Sequence, residues 1–202
     1  MIPVLSFLFL RGKCRYCQKK ISWQYPLAEL GTAVVFFLAS FFSSDCLSLA
    51  YYLVASSFLI VVFIYDLKHY LIPDKVIYPA ILVSLVFIFT KQFSLFVPFL
   101  LSALGAALFF GLIILVSRGK WLGWGDVKLA IFMGLLLGWP KIVLALFLAN
   151  FLGAMIGIGL VLSRRKSFKS EVPFGPFLVA GTLISLFWGE QIINWYLSFL
   201  NL

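Results

Sequence analysis

Long apolar segments separated by short polar links occupy most of the chain. Seven of them lie at residues 27–42, 47–65, 76–89, 93–116, 129–139, 142–162 and 174–188, and a shorter one lies at 192–200. A helix needs about 20 apolar residues to cross the hydrocarbon core of a bilayer. The pattern therefore predicts an all-α, polytopic integral membrane protein with about seven to eight transmembrane helices.

Two of these segments are too short to assign from their length. The fifth, at 129–139, either begins inside the glycine-containing stretch before it or forms a tilted or broken span. The eighth, at 192–200, is a span, a half-span or an interfacial segment.

The composition supports a membrane protein, and it indicates that the positive net charge reflects membrane topology. Of the 202 residues, 63% are hydrophobic and 11% are charged, whereas soluble domains are roughly half apolar and about a quarter charged. The net charge of +9 would suit nucleic acid, but the basic residues are spread over short loops. We therefore expect membrane lipid as the surroundings of this protein and no nucleic-acid partner.

The distribution of basic residues predicts the orientation of the helices. If the N-terminal segment is cytoplasmic and seven spans alternate, 14 of the 16 Lys and Arg residues lie in cytoplasmic loops, as the positive-inside rule requires. These residues are Arg11, Lys13, Arg15, Lys19, Lys20, Lys68, Lys75, Arg118, Lys120, Lys128, Arg164, Arg165, Lys166 and Lys169. The opposite orientation reverses the ratio, so we expect a multi-pass protein of the cell membrane with a cytoplasmic N-terminus.

Two aspartates stand at matching places beside apolar segments. Asp126 lies between Gly123-Trp124-Gly125 and the fifth segment, and Asp66 ends the second segment. Charged side chains at a membrane span are costly and commonly functional, and the glycines allow a tight turn and the close approach of another segment. The predicted topology brings Asp66 and Asp126 to the same depth on the cytoplasmic side.

Two adjacent carboxylates can carry out acid–base chemistry, because one keeps its proton while the other loses it. Such a pair can hydrolyse a peptide bond without a metal or a covalent intermediate. The alternative is that both aspartates satisfy helix ends or pair with Lys68 and Lys128. Pro73 disfavours helix before the third span, and Asp74 is expected to cap that helix.

These residues resemble the type IV prepilin peptidases, bacterial aspartic proteases of the G-x-G-D class. The resemblance extends over nearly the whole chain. It rests on Gly123-x-Gly125-Asp126-x-Lys128, on Asp66 followed by Ile72-Pro73-Asp74, on Cys14-x-x-Cys17 with the segment after it, on Leu137-Gly138-Trp139, and on Val172-Pro173-Phe174-Gly175-Pro176-Phe177.

The resemblance implies a function and a site. Asp66 and Asp126 would form the catalytic pair, supported by Gly123, Gly125, Lys128, Pro73, Asp74, Gly175 and Pro176. The partners would be the leader peptides of prepilins or pseudopilins, cut after a glycine on the cytoplasmic side. Residues 1–26 would be the remnant of an N-terminal cysteine loop, and residues 27–202 the transmembrane peptidase domain.

The cysteines depart from the family pattern. Longer relatives have an extra N-terminal segment and a first C-x-x-C that completes a zinc site with the second. This chain provides Cys14 and Cys17 alone, so we expect an incomplete zinc site, because structural zinc takes four ligands. Many relatives also methylate the new N-terminus with S-adenosylmethionine. That activity is associated with the absent segment and is in doubt here, whereas proteolysis needs no cofactor.

Three other functions are compatible with parts of the pattern. A transporter or channel would use intramembrane acidic residues and broken helices, but the two carboxylates lie at one face of the membrane. An archaeal preflagellin peptidase would share the G-x-G-D motif, although the cysteine loop favours the bacterial branch. A structural membrane subunit would leave the matching aspartates unexplained.

Overall fold

The structure is a computed structural model that describes residues 6–7, 9–91, 93–163 and 172–199. In this part of the chain the long elements are all helices. They are α1 (Gln24–Phe42), α2 (Cys46–His69), α3 (Asp74–Lys91), α4 (Phe96–Ser117), α5 (Trp124–Leu137), α6 (Lys141–Leu162) and α7 (Gly175–Phe199), with a 3₁₀ turn at Phe93–Leu95 before α4.

The helices confirm the predicted all-α membrane architecture. Among the described residues, five helical stretches are long and apolar enough to cross a membrane: Gln24–Phe42, Cys46–His69, Phe93–Ser117, Lys141–Leu160 and Gly175–Phe199. The fifth apolar segment does begin inside the glycine-containing stretch, since α5 starts at Trp124. The basic residues Arg164, Arg165, Lys166 and Lys169 of the predicted topology lie outside the described residues.

The seventh and eighth apolar segments form one helix. α7 runs from Gly175 to Phe199 without a break, through the polar residues Glu190 and Gln191 that separate the two segments in the sequence. Glu190 forms an ion pair of 2.6 Å with Lys141 at the start of α6. This pairing allows a carboxylate to lie within a mostly apolar helix, which the hydropathy pattern could not indicate.

Local signals explain where the helices of the second half begin and end. Pro73 lies just before α3, where a missing N–H costs nothing, and its carbonyl accepts hydrogen bonds from Val76 and Ile77. α4 ends at Ser117, just before Arg118, whose φ of 52° is left-handed, and α5 ends at Leu137, just before Gly138, whose φ is 64°. Left-handed residues are common helix terminators because they turn the chain away from the helix axis.

The chain forms two compact units, Met1–Ile60 and Val61–Leu202. In the first unit, the cysteine loop before α1 is closed by an antiparallel bridge between Lys13 and Lys20. The rings of Phe7 and Trp23 pack edge to face with centroids 4.9 Å apart. This unit therefore combines a short, basic, folded loop with membrane helix.

In the second unit, α4 and α5 form a closely packed antiparallel pair. A Cβ atom on Gly134 would lie 2.4 Å from Cα of Ala103, and a Cβ on Gly138 would lie 3.0 Å from the ring of Phe99. Moving four residues forward along α5 therefore moves four residues back along α4. Only glycine at position 134 lets the two backbones approach so closely.

Helices α6 and α7 form a second close pair. A Cβ on Gly181 would lie 2.5 Å from the carbonyl oxygen of Ala145, and a Cβ on Gly153 would lie 3.4 Å from the ring of Phe177. The order of these contacts shows that α6 and α7 are antiparallel. Ser185 adds a hydrogen bond of 2.7 Å to the carbonyl of Lys141.

The short helix α5 occupies the middle of this unit. It packs against α3, α4 and α7, and its residues Leu129, Phe132 and Met133 are fully buried. With 14 residues α5 is shorter than a membrane span requires. In its first turn, Asp126 is buried although Trp124 is exposed, so the carboxylate itself lies within a protein environment.

Candidate active site

Asp66 lies near the end of α2 and is held by the start of α7. One carboxylate oxygen, Oδ2, accepts a hydrogen bond of 2.9 Å from the backbone N–H of Gly175. The side chain is only 5% exposed. A Cβ atom at position 175 would lie 2.6 Å from this same oxygen, so the contact requires glycine. Asp66 is therefore fixed by a residue 109 positions away in the sequence.

Asp126 lies in the first turn of α5 and is held locally. Its Oδ2 accepts a hydrogen bond of 3.1 Å from the N–H of Gly123, and its own N–H donates to the carbonyl of Gly123. Gly123 has an ordinary φ of −90°, so this turn does not need a left-handed glycine. The Asp126 side chain is 9% exposed and caps the helix that carries it.

The two carboxylates interact electrostatically. Asp126 lies outside the five membrane-spanning stretches, and burial raises its pKa from 3.8 to about 6. The hydrogen bond from Gly123 opposes this rise, and the negative charge of Asp66 adds to it. The structure thus brings Asp66 and Asp126 close enough to interact through their charges, and one oxygen of each accepts a hydrogen bond from a backbone N–H.

Gly125 lets the link between α2 and α3 approach the start of α5 closely. A Cβ atom on Gly125 would lie 3.0 Å from Cβ of Ile72, the residue before Pro73. The link between α2 and α3 therefore packs directly on the first turn of α5, next to Asp126. Ile72 was not predicted as a site residue. The signal in the sequence was the segment Ile72-Pro73-Asp74, in which Pro73 indicates a break between helices.

Lys128 pairs with Asp74, whereas the alternative that the sequence left open was a pairing of Lys68 and Lys128 with Asp66 and Asp126. Its Nζ lies 2.6 Å from Oδ1 of Asp74 and 5.1 Å from the centroid of the Tyr78 ring. The hydrogen bond to Asp74, followed by that to Tyr78, raises the pKa of Lys128. Asp74 is the first residue of α3, where negative charge is favourable, so this pair links the starts of α3 and α5.

Pro176 and Phe174 flank the glycine that holds Asp66. Pro176 is the second residue of α7 and is buried, a position where proline is tolerated because its missing N–H has no helical partner. Phe174 packs against Phe110 of α4 with ring centroids 6.0 Å apart. Phe110 was not predicted as part of the site, because nothing in the sequence connects it with the Phe174-Gly175-Pro176 segment.

Cys14 and Cys17 lie in the loop of the first unit. The backbone N–H of Cys17, followed by that of Tyr16, lowers the pKa of the Cys14 thiol, which favours the thiolate that binds metal. Among the described residues, no third His, Cys, Asp or Glu side chain joins them in a metal-binding group. Two thiolates do not match the four ligands of structural zinc, so no step of the chemistry is assigned to a metal.

Two family models match the chain. The model described as the type IV leader peptidase family matches residues 53–158, a range that includes both Asp66 and Asp126. The model described as the bacterial peptidase A24 N-terminal domain matches residues 1–42. A peptidase family does not favour the transporter or channel that the acidic residues also suggested.

Curated relatives agree with these models over almost the whole chain. A protein of Legionella pneumophila named prepilin leader peptidase/N-methyltransferase is 35% identical over 202 residues, which cover 98% of this chain and 70% of the relative. A protein of the same name from Bacillus subtilis (strain 168) is 33% identical over 214 residues, covering 98% of this chain and 79% of the relative. No solved structure matches the chain significantly.

Proposed function

Because the chain belongs to the type IV leader peptidase family, we propose that its catalytic groups are Asp66 and Asp126. The chain is thus a membrane peptidase. The observation that carries the assignment is that two buried carboxylates from different helices are close enough for the charge of Asp66 to raise the pKa of Asp126. Such a pair suits hydrolysis by an activated water molecule.

The two carboxyl groups would share the acid and base roles. One would hold a proton and donate it to the oxygen of the scissile carbonyl, and the other would act as the base that removes a proton from the attacking water. That proton can then pass to the leaving amine when the carbon–nitrogen bond breaks.

The proposed substrate is the N-terminal leader of a prepilin or pseudopilin. Relatives are named prepilin leader peptidases, and the leader implied by the sequence resemblance is short, basic and followed by an apolar helix. Cleavage after a glycine on the cytoplasmic side of the cell membrane agrees with the predicted topology. Pilus assembly, competence and protein secretion all use substrates of this class.

Methylation of the new N-terminus is a separate question. The same relatives are also named N-methyltransferases, an activity that would use S-adenosylmethionine as the methyl donor. The proposal for this chain is restricted to proteolysis, since Asp66 and Asp126 have no part in supplying a methyl group. The mass of the product's new N-terminus tests methylation directly.

The test of the proposed function is cleavage of a co-expressed prepilin substrate. Cleavage is followed by the mobility shift and by N-terminal sequencing of the product. We expect wild type to cut after the glycine and Asp66→Asn and Asp126→Asn to abolish cutting. Asn keeps the volume of each side chain and an oxygen that accepts the backbone N–H, but it cannot exchange a proton.

The matched control is Asp74→Asn, because it changes a nearby carboxylate that is 57% exposed and lies on the Lys128 side of the site. We expect this variant to retain cleavage, and all variants to reach the membrane at similar levels. Cleavage by either Asp66→Asn or Asp126→Asn would show that the pair is not the catalytic centre. A wild-type protein that inserts but does not cut would contradict the proposed substrate.

A further inference from the structure

An apolar groove lies between α4 and α6, on the second unit. It has a volume of about 840 Å³ and extends from Pro98 and Trp139 at one end to Phe109 and Asn150 at the other. We call this surface the α4–α6 groove. Between Pro98 and Phe109 a helix rises about 16 Å, which is roughly half the thickness of the hydrocarbon core.

The end of the groove at Phe109 is level with Asp126. Since Gly134 lies against Ala103 and Gly138 lies against Phe99, the antiparallel register of α4 and α5 places Asp126 level with Gly111. Phe109 is two residues from Gly111, or about 3 Å along the helix axis. On the α4 side, the groove therefore starts just below the level of one carboxylate.

The end of the groove at Asn150 is close to the level of Asp66. Gly153 lies against Phe174 and Phe177, so Gly175 and Pro176, which lie between those two residues, are level with Gly153. Asn150 is three residues from Gly153, or about 4–5 Å along the axis. Because Gly175 holds Asp66, both walls of the groove start close to the level of the carboxylate pair and run away from it.

The interior of the groove has the features of a helix-packing surface. Its α4 wall contains the small residues Ser102, Gly105 and Ala106, and a Cβ atom on Gly105 would have open space around it. Small residues let the backbone of a second helix approach closely within a membrane. Large, partly exposed side chains such as Phe109 and Phe147 also line the groove.

Asn150 gives the groove a polar side chain whose remaining hydrogen bonds a lipid acyl chain could not form. Its side chain is exposed, and its amide nitrogen donates one hydrogen bond of 2.8 Å to the carbonyl of Leu146. A carboxamide has a second N–H and an acceptor oxygen. Facing lipid tails, these atoms would be costly, whereas a partner helix can offer them a polar side chain or a carbonyl.

We propose that the α4–α6 groove binds the apolar helix of the substrate, the segment that follows the scissile bond. This inference rests on the proposed function. The scissile bond would lie at the carboxylates, and about eleven residues after it would extend along the groove as a helix. The groove would then act as the part of the site that recognises a membrane-inserted substrate, and the leader itself would remain outside it.

Photocrosslinking in an inactive protein tests the occupant without relying on cleavage. The photoreactive residue benzoylphenylalanine is placed at position 147, which lines the groove, in a protein that also carries Asp126→Asn. The control carries the same residue at position 104, because Leu104 is exposed on α4 but does not line the groove. We expect an adduct with the substrate's apolar helix from position 147 and none from position 104. Adducts with lipid alone at position 147 would overturn the proposal.

Steady-state kinetics of the active protein distinguish the role of the groove in substrate binding from the role of the carboxylates in catalysis. Gly105→Leu fills the groove, and Gly159→Leu is the matched control on α6, at a glycine that also has open space. For a full-length substrate in lipid–detergent micelles, we expect Gly105→Leu to raise KM by about tenfold or more with kcat little changed. Gly159→Leu should leave both constants at the wild-type values.

Two further comparisons make the outcome decisive. Asn150→Leu should raise KM by about threefold if its amide bonds a helix, and should lower KM or leave it unchanged if an acyl chain fills the groove. Equal KM values for Gly105→Leu and Gly159→Leu, with active wild type, would overturn the groove proposal and leave the proposed function intact. Inactive wild type would contradict the proposed function. The crosslinking result at position 147 would then test, without any cleavage data, whether the groove binds the apolar helix.

Discussion

At the scale of single residues, Gly175 can hold the carboxylate of Asp66 because glycine has no Cβ atom. The N–H of Gly175 reaches Asp66 at 2.9 Å because no Cβ occupies the place 2.6 Å from the same oxygen. The following residue, Pro176, has no N–H to offer as an alternative donor. Asp66 is consequently oriented by a single backbone amide at the first turn of a long helix, whose N-terminus favours negative charge.

Gly175→Ala should therefore impair catalysis by displacing Asp66. The added methyl group cannot coexist with the present position of the carboxylate oxygen, and a displacement of about 1 Å can cost roughly a hundredfold in rate. We expect kcat to fall to that extent in the prepilin cleavage assay, with KM changed much less. Gly157→Ala, at a glycine with open surroundings, is the control, and equal loss in both variants would contradict the role of Gly175.

The raised pKa of Asp126 makes a prediction about stability. Since burial raises its pKa from 3.8 to about 6, the folded chain favours the protonated carboxyl. The stabilisation by this group is complete below the unfolded pKa and is lost as pH rises through about 6, on the order of 3 kcal/mol in total. Asp126→Asn cannot lose a proton and removes this dependence.

Denaturant unfolding in detergent micelles between about pH 4 and pH 8 measures the effect. The free energy of unfolding of wild type should decrease relative to that of Asp126→Asn as pH increases. Titration of groups that do not interact with Asp126 affects both proteins equally and cancels, so the difference reports Asp126 together with its interaction with Asp66. A difference that stays constant over this range would contradict a raised pKa for Asp126.

At the scale of helices, the sequence predicted most of what the structure contains. Apolar segments indicate helices because a chain in lipid must satisfy its backbone hydrogen bonds internally. The pattern was less informative about ends: α2 extends past Asp66 to His69, and α7 continues through the polar Glu190. Those ends depend on contacts such as Lys141–Glu190, which hydropathy does not record.

Helix pairing depends on glycines whose role cannot be read from a single sequence. A Cβ on Gly134 would lie 2.4 Å from the backbone of Ala103, whereas a Cβ on Gly111 would have open space. Both residues lie in apolar helices, so their surroundings in the sequence look alike. The difference arises from which helix packs against each of them.

We expect Gly134→Ala to destabilise the chain and Gly111→Ala to be neutral or stabilising. The first forces α4 and α5 apart, at a cost of about 1–3 kcal/mol or more, while the second replaces glycine in a helix by a better helix former, worth up to about 1 kcal/mol. Thermal unfolding in the same detergent compares them. Similar melting temperatures for the two variants would show that α4 and α5 do not pack as closely as described.

At the scale of the whole molecule, the sequence singled out the two proposed catalytic residues but not how they are held. Asp66 and Asp126 were conspicuous because charge is rare in apolar segments. The pairing of Lys128 with Asp74 spans 54 positions, and that of Gly175 with Asp66 spans 109. Such long-range contacts are products of helix packing, and the charge pattern alone could not decide which carboxylate Lys128 would pair with.

The orientation of the chain in the membrane yields the last prediction. The carboxylates adjoin the links at 70–73 and 118–123, and the charge distribution predicts that these links are cytoplasmic. We expect the links at 43–45 and 138–140 to lie on the opposite side. In a variant with Cys14, Cys17 and Cys46 replaced by Ser, a cysteine introduced at Gly119 should be protected from a membrane-impermeant thiol reagent in intact cells, and one at Ser44 should react. Disruption of the cells should expose Gly119→Cys as well. The reverse pattern would place Asp66 and Asp126 on the side that a cytoplasmic leader cannot reach, and the proposed substrate would then be wrong even if the carboxylates are catalytic.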